Sequence, residues 1–371
     1  MLTKETVKAM ARKTGFDLVG ITGAAPLLSL VPVLEERQRR GREPEFVSGT
    51  IEERITPKLF FPEAKSVIMT ALNYYNPAIR EKPLHGKLSR STWGRDYHRV
   101  MGEMLERLGQ SLTQLEPGFK YKAFVDTGPL VERELARRAG LGWIGKNCAL
   151  ITPEFGSWVF LGGIAVNVEL PPDSPLNQSC GSCRRCLDAC PSGALEEAHC
   201  VNPRRCLSYI SQKKGYLGLE ERKLLQGRLY GCDTCQEVCP VNHKVAQETG
   251  NAAFRPLPHV YLSLAEIVTM DNKQFKEWLG PTAAAWRGKT NLKRNAVIAL
   301  GNGGDPEAIP LLLAALKDPS PIIRGHAAWA LGSFAGNEAG TGTALQKALK
   351  KETDPMAKRE LLNALEVRTN R

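Results

Sequence analysis

Cys180, Cys183, Cys186 and Cys190, with Pro191 directly after them, spell C-x-x-C-x-x-C-x-x-x-C-P. Three thiolates at this spacing can wrap three corners of one iron–sulfur cubane, while the cysteine before the proline points toward the other cubane of a two-cluster ferredoxin. Cys232, Cys235, Cys239 and Pro240 repeat the end of the pattern, but Leu229 stands where a first cysteine would fall. Cys206, in preference to Cys200, must supply the missing ligand. The expected wiring is crossed. One [4Fe–4S] cluster takes Cys180, Cys183, Cys186 and Cys239; the other takes Cys190, Cys206, Cys232 and Cys235. Structural zinc also favours paired cysteines, four to a site, but this run suits a cubane better than a tetrahedral ion. Cys148 and Cys200 are left without a chemical role. Two such clusters move single electrons, so a bond-breaking reaction needs a terminal redox centre or substrate site elsewhere in the chain.

The remaining residues must position the clusters and provide that site. A length of 371 residues predicts two or three domains. Hydrophobic residues at 42% and charged residues at 24% are ordinary globular values and exclude a disordered or collagen-like chain. No run of about 18 apolar residues predicts a membrane span. The opening MLTKETVKAMARKTGF reads as an amphipathic helix, not a signal peptide. The expected location is the cytoplasm, where spaced cysteines hold metal more often than they form disulfides. A net charge of +11 and a pI near 9.2 suit a polyanionic partner.

Residues 1–170 alternate helical stretches with β-rich runs at 18–21, 66–72, 121–125 and 159–168, flanked by helices such as 97–114 and 130–139. They read as an α/β catalytic domain. The proline-rich and polar stretch 171–179 is a linker, opening a ferredoxin-like domain over 171–255. Residues 256–371 form a helical domain. There Ala296, Ala299, Leu300 and Gly301 recur 31 residues later as Ala327, Ala330, Leu331 and Gly332, with a degenerate third unit at 356–367. Helix pairs at that period indicate HEAT-like repeats.

Two motifs in the first domain mislead. Gly140-Leu141-Gly142-Trp143-Ile144-Gly145 matches G-x-G-x-x-G, but a dinucleotide site needs a strand before it and a helix after it. Here the motif follows a helix, and Gly140 falls where a left-handed C-terminal residue belongs. Asp96-Tyr97-His98 begins a D-x-H-x-x-G motif of corrinoid enzymes, but position 101 is methionine, so His98 is not expected to be a lower ligand of cobalamin. Asp126, in the turn Asp126-Thr127-Gly128-Pro129, follows a β-rich run. An open α/β sheet places catalytic groups at such strand ends, although a helix-capping aspartate has the same local pattern.

Linked motifs along nearly the whole chain resemble epoxyqueuosine reductase, the cobalamin-dependent iron–sulfur enzyme family of tRNA queuosine biosynthesis. They include ERITPKLFFPEAKSVI, STWGRDYH, the FVDTGPL block, TPEFGS, both cysteine sets, RRCLSYISQKKGYL, GCDTCQEVCP and WRGKTNLKRNAVIAL. The resemblance implies removal of the epoxide oxygen from epoxyqueuosine at the tRNA wobble position. Two electrons from an external donor and two protons enter, and water leaves. It implies cobalamin in the α/β domain, reduced through the clusters, with Asp126 as proton donor. Desolvation beneath the corrin is expected to raise the Asp126 pKa. The implied cobalamin contacts are Arg54, Ser89, Asp126, Leu150, Ser208, Asp233 and Thr234; some relatives carry cysteine where Ser89 stands. An enzyme acting on a wobble base must take the nucleotide out of its stack and draw affinity from phosphates. Lys213, Lys214, Arg287, Lys289, Lys293, Arg294 and Arg324 are the expected RNA contacts. A corrinoid dehalogenase would share the cobalamin-plus-ferredoxin plan, but a basic helical repeat has no use for a haloalkane.

Overall fold

The computed structural model describes residues 2–77, 84–334 and 340–369. It divides into two compact units, neither a single span of sequence. The first comprises Met1–Pro77, Gly94–Cys206 and Asp233–Arg255; the second comprises Ala78–Trp93, Leu207–Cys232 and Pro256–Arg371. Composition divides the chain in order, whereas packing exchanges segments. Lys87–Leu88 pairs as a short parallel strand with Arg228–Tyr230 inside the second unit, which takes residues 78–93 out of the first.

The first unit is built on strands β1 (Leu18–Gly23), β2 (Ser66–Asn73), β3 (Tyr121–Phe124) and, later in the chain, β6 (Val159–Val166), in the order β1-β2-β6-β3. These match the four expected runs to within two residues at each end. Every pairing is antiparallel. The rule for parallel sheets that placed Asp126 therefore does not apply; Asp126 lies instead beyond an edge strand, β3. Strand β2 is buried along its length, and its alternating side chains serve two cores. Ile68 and Leu72 join Ile21, Ile164 and Val166 against helices α1 (Lys4–Thr14) and α3 (Tyr97–Leu115). The apolar stripe of α3, at Met101, Leu105, Leu108 and Leu112, has the spacing of one helix face. Val67, Met69 and Ala71 face the other way, packing with α2 (Ile51–Ile55) through Ile55 and with α4 (Glu132–Arg138) through Leu135 and Ala136. A small hairpin, β4 (Trp143–Ile144) and β5 (Leu150–Ile151), follows α4. Residues 171–180 have no regular structure, as their proline content predicts. Asp173 nonetheless ties them down, accepting from Lys8 Nζ at 2.7 Å and from the Ile21 N–H at 2.9 Å. A second hairpin, β7 (Leu195–Glu197) and β8 (Cys200–Val201), lies within the cysteine-rich segment.

In the second unit, α5 (Leu207–Gln212) precedes three stacked helices, α6 (Lys289–Gly303), α7 (Pro321–Ser333) and α8 (Pro355–Thr369). The 31-residue repeat is this stack. Gly301 meets Ala330, and Gly332 meets Ala364 of the third, degenerate unit, so small residues bring successive helices close. No helix among the described residues is long and apolar enough to cross a membrane.

Candidate active site and cluster-binding segment

Strand β3 ends at Phe124, and two residues later Asp126 adopts a left-handed backbone with φ +54. Asp and Asn tolerate this conformation better than most residues. The turn is held from both sides. The Asp126 N–H donates to Glu132 Oε1 at 2.5 Å, at the start of α4, and the Val131 N–H donates to the Arg54 carbonyl at 3.2 Å. The Asp126 side chain is 63% exposed.

Two residues at the start of α3 reach this carboxylate. Tyr97 Oη donates to Asp126 Oδ2 at 2.9 Å, and His98 Nε2 lies 3.3 Å from the same oxygen. The other His98 nitrogen, Nδ1, sits 2.7 Å from Asp96 Oδ1. Burial works against charge on His98, but the hydrogen bonds to Asp126 and Asp96 outweigh it and lift the imidazole to about 9. The His98 hydrogen bond in turn holds Asp126 below the usual carboxylate range, with Tyr97 helping and burial opposing. In this turn the cation supplied by α3 outweighs desolvation; the expected rise in the Asp126 pKa is one beneath a bound corrin. The carboxyl that is pushed up is Glu132, to about 8, by burial and then by the negative charge of Asp126.

Sequence reasoning saw Asp96, Tyr97 and His98 as a failed ligand motif and did not single out Glu132. The D-x-H spacing was the available signal. It allows His98 to hydrogen-bond back to Asp96, which also caps α3. Both ring nitrogens are thereby engaged with carboxylates.

Among the residues nominated for a corrin, Arg54 and Leu150 lie close to the Asp126 turn. The Arg54 side chain is buried and pairs with Glu43 at 2.9 Å, and Leu150 shares an apolar cluster with Ile55 and Leu130. In the second unit, Ser89 is buried, its N–H donating to the Tyr230 carbonyl. The Ser208 carbonyl accepts from Ser211, whose hydroxyl accepts the Gly231 N–H, so Ser89 and Ser208 flank the same Tyr230–Gly231 turn. Asp233 precedes the helical turn Thr234–Glu237.

The cysteines of the first predicted set converge within one unit. The helical turns Arg185–Asp188 and Thr234–Glu237 pack together. Cys239 and Cys180 meet in one apolar cluster with Trp143, and burial together with the charges of Cys180 and Cys183 pushes the Cys186 thiol up. All ten cysteines are free thiols. The donor set therefore fits an iron–sulfur cubane, and a buried Trp143 indole N–H without a hydrogen-bond partner beside it fits a sulfur-rich acceptor. Of the second set, the Cys190 thiol is pulled down: burial opposes this, but hydrogen bonds from the Leu195, Ser192 and Ala194 N–H groups and the Ser192 hydroxyl outweigh it. Cys200 is drawn aside on the β7–β8 hairpin, where its sulfur accepts from Arg42 at 3.9 Å.

The RNA candidates separate by what they already touch. Arg294 is fully buried and donates to the carbonyls of Lys213 and Gly215 at 2.6 and 2.8 Å and to Asn295. It is a structural cation and not a phosphate contact. Lys213 pairs with Glu221, Lys293 with Asp318 and Arg324 with Glu352. Lys214 is exposed, Lys289 half-buried, and the Arg287 guanidinium lies 3.7 Å from the ring centroid of the exposed Trp286. Arg294→Ala leaves two half-buried carbonyls without their donor, at up to roughly 1–3 kcal/mol each, and should lower the denaturant midpoint. Lys214→Ala should leave the midpoint alone and weaken tRNA binding, with the salt slope falling by about one. Denaturation and salt-dependent binding curves check both.

A reductase combining an iron–sulfur relay with a helical-repeat frame is the class these parts define. The family model described as Epoxyqueuosine reductase QueG, DUF1730 matches residues 54–127, that of the 4Fe-4S double cluster binding domain matches 179–242, and that of HEAT repeats matches 284–366. An epoxyqueuosine reductase from Bacillus cereus is 39% identical, the match covering 98% of this chain and 97% of that one. A crystal structure of epoxyqueuosine reductase with a tRNA-Tyr epoxyqueuosine-modified tRNA stem loop is 39% identical, with TM-score 0.93 over 99% of this chain and 98% of that one. The Bacillus subtilis enzyme, with its catalytic aspartate loop swung out of the active site, is 39% identical, with TM-score 0.92 over 98% of both chains. The chain belongs to the epoxyqueuosine reductase family, and residues 179–242 form its double 4Fe–4S segment.

Proposed function

We propose that the chain reduces epoxyqueuosine at the wobble position of a tRNA to queuosine, with Asp126 delivering a proton to the departing epoxide oxygen. The observation that carries this reading is an Asp126 carboxylate in reach of a protonated His98, in a chain whose fold follows its relatives from end to end. The stem loop bound by one relative supports tRNA as the partner, and the mobile aspartate loop of another supports a working role for the Asp126 turn.

The reaction consumes two electrons and two protons and leaves an alkene and water. We assign the electrons to an external one-electron donor acting through the two clusters, with the second on Cys190, Cys206, Cys232 and Cys235. Cobalamin, when bound, would supply the strongly reducing centre for the two-electron reduction. On this side Arg54, Asp126 and Leu150 would hold it; Ser89, Ser208, Asp233 and Thr234 are proposed on the resemblance alone. Both His98 nitrogens are taken by carboxylates, Asp96 and Asp126, so on this side the imidazole would serve the proton and not the cofactor.

Proton delivery follows from the local electrostatics. Near neutral pH His98 carries the proton that Asp126 lacks. Transfer from Nε2 to Oδ2 makes Asp126 the acid, and the neutral imidazole regains a proton from water. Tyr97 steadies the acceptor oxygen, and Glu132 grips the backbone amide so that the carboxyl stays in place. Residues 1–170 would hold the chemistry, 171–255 the relay and 256–371 the RNA. Lys214, Arg287 and Lys289 are the proposed phosphate contacts; Lys213, Lys293 and Arg324 would have to give up their ion pairs to join them.

The test is anaerobic reconstitution with iron, sulfide and cobalamin, then incubation with epoxyqueuosine-containing tRNA and a strong reductant. Nucleoside analysis should show queuosine replacing epoxyqueuosine. Unchanged tRNA with a fully loaded enzyme would overturn the proposal.

A further inference from the structure

The glycine run Gly140–Gly145, left over once a dinucleotide site is excluded, shapes the β4–β5 hairpin. A Cβ on Gly142 would stand 2.2 Å from the Ile151 carbonyl oxygen, and one on Gly145 would stand 2.5 Å from Ile151 Cδ1. Glycine at both positions lets the two strands close, with Trp143 opposite Ile151. The closed hairpin faces the cysteine segment. Trp143, 7% exposed, packs with Cys239 and Cys180. Three residues on, Lys146 Nζ donates to the Gly181 and Cys183 carbonyls at 2.7 and 2.9 Å. His199 fastens the hairpin tip, its N–H donating to the Lys146 carbonyl at 3.0 Å.

The Trp143 Nε1–H is buried and has no hydrogen-bond partner. Buried donors in native proteins are satisfied almost without exception, and the side chains beside this one include two ligands of the first proposed cluster. We infer that the β4–β5 hairpin is a clamp on that cluster: Trp143 donates its indole N–H to a cluster sulfur, and Lys146 fixes the Cys180–Cys183 loop and sets a positive charge beside it. Hydrogen bonds to the sulfurs and nearby charge are among the factors that set a cluster's potential. Reduction adds one negative charge, which a donor N–H and an ammonium both favour. The clamp thus raises the potential of the first cluster.

The inference rests on the first ligand set, which iron analysis of Cys239→Ser tests separately. The test of the clamp uses the full-length, cluster-loaded protein in an EPR-monitored redox titration. Trp143→Phe, which keeps the ring and removes the N–H, should retain its iron and move one cluster to a more negative midpoint. Lys146→Met should move the same cluster in the same direction. Nitrogen-15 labelling of tryptophan gives a second readout independent of variants: the reduced wild-type cluster should show hyperfine coupling to one indole nitrogen. An unchanged midpoint in Trp143→Phe overturns the inference. Should that variant lose its iron, the labelled wild type decides, with coupling supporting the clamp and its absence refuting it.

Discussion

Asp126→Asn should give a folded, cluster-loaded protein whose conversion of epoxyqueuosine falls by roughly 10³-fold, within the 10²–10⁴ span attributed to a positioned general acid. Asparagine is the informative replacement. It tolerates the φ of +54 at this position and can still accept from Tyr97, so loop geometry survives while the transferable proton does not. The pH profile adds a second signature. His98 is raised to about 9, so its proton is present at neutral pH and is lost as pH climbs through that value. Wild-type activity should be flat below about 9 and fall above it. In His98→Gln, Asp126 must collect its proton from water without a neighbouring cation. The falling limb should then move to acid pH, with the deficit growing about tenfold per pH unit. Single-turnover nucleoside analysis across pH checks both variants. Turnover of Asp126→Asn within a few-fold of wild type would remove Asp126 from the mechanism.

The reliable sequence signals were local. Cysteine spacing is a ligand geometry in itself, and β-rich composition placed all four sheet strands to within two residues at each end. The Ala-Leu-Gly repeat foretold helix stacking because small residues at one helical position have few other uses. Pairing partners are a different matter. Nothing in the β2 or β6 runs says that the sheet is antiparallel, or that Lys87–Leu88 leaves the first unit to pair beside Tyr230. The same limit governed the site. The turn marked Asp126 only as a candidate that a helix cap would equally explain, and the resemblance supplied its role; its hydrogen bond to His98, 28 residues earlier in sequence, has no local signature. Arg294 failed for the related reason that a Lys/Arg-rich stretch records charge and not direction. Its helix buries that one guanidinium against the Lys213 and Gly215 carbonyls while leaving Lys289 only half-buried.

The ligand set offers the sharpest discrimination. Two cubanes would carry about eight irons per chain; Cys186→Ser or Cys239→Ser should each lose about half, with turnover falling at least ~10²-fold because the relay is broken. Serine is isosteric, but its oxygen is a far poorer ligand for iron than a thiolate, so the loss reports coordination and not packing. Cys239 gives the strongest contrast. It lies beyond Thr234–Glu237, more than fifty residues from the C-x-x-C-x-x-C run, and the fold brings it against Cys180 in one apolar cluster. A ferredoxin wired within each motif would instead pair Cys239 with Cys232 and Cys235. Cys206→Ser and Cys200→Ser settle the remaining ligand. Cys200 is occupied by Arg42 on a hairpin, so its variant should keep all its iron, while Cys206→Ser should lose the second cluster. Iron and sulfide analysis with EPR of the reduced proteins measures each outcome. A Cys206→Ser protein with full iron beside a depleted Cys200→Ser would reverse the assignment and move the second cluster toward the β7–β8 hairpin.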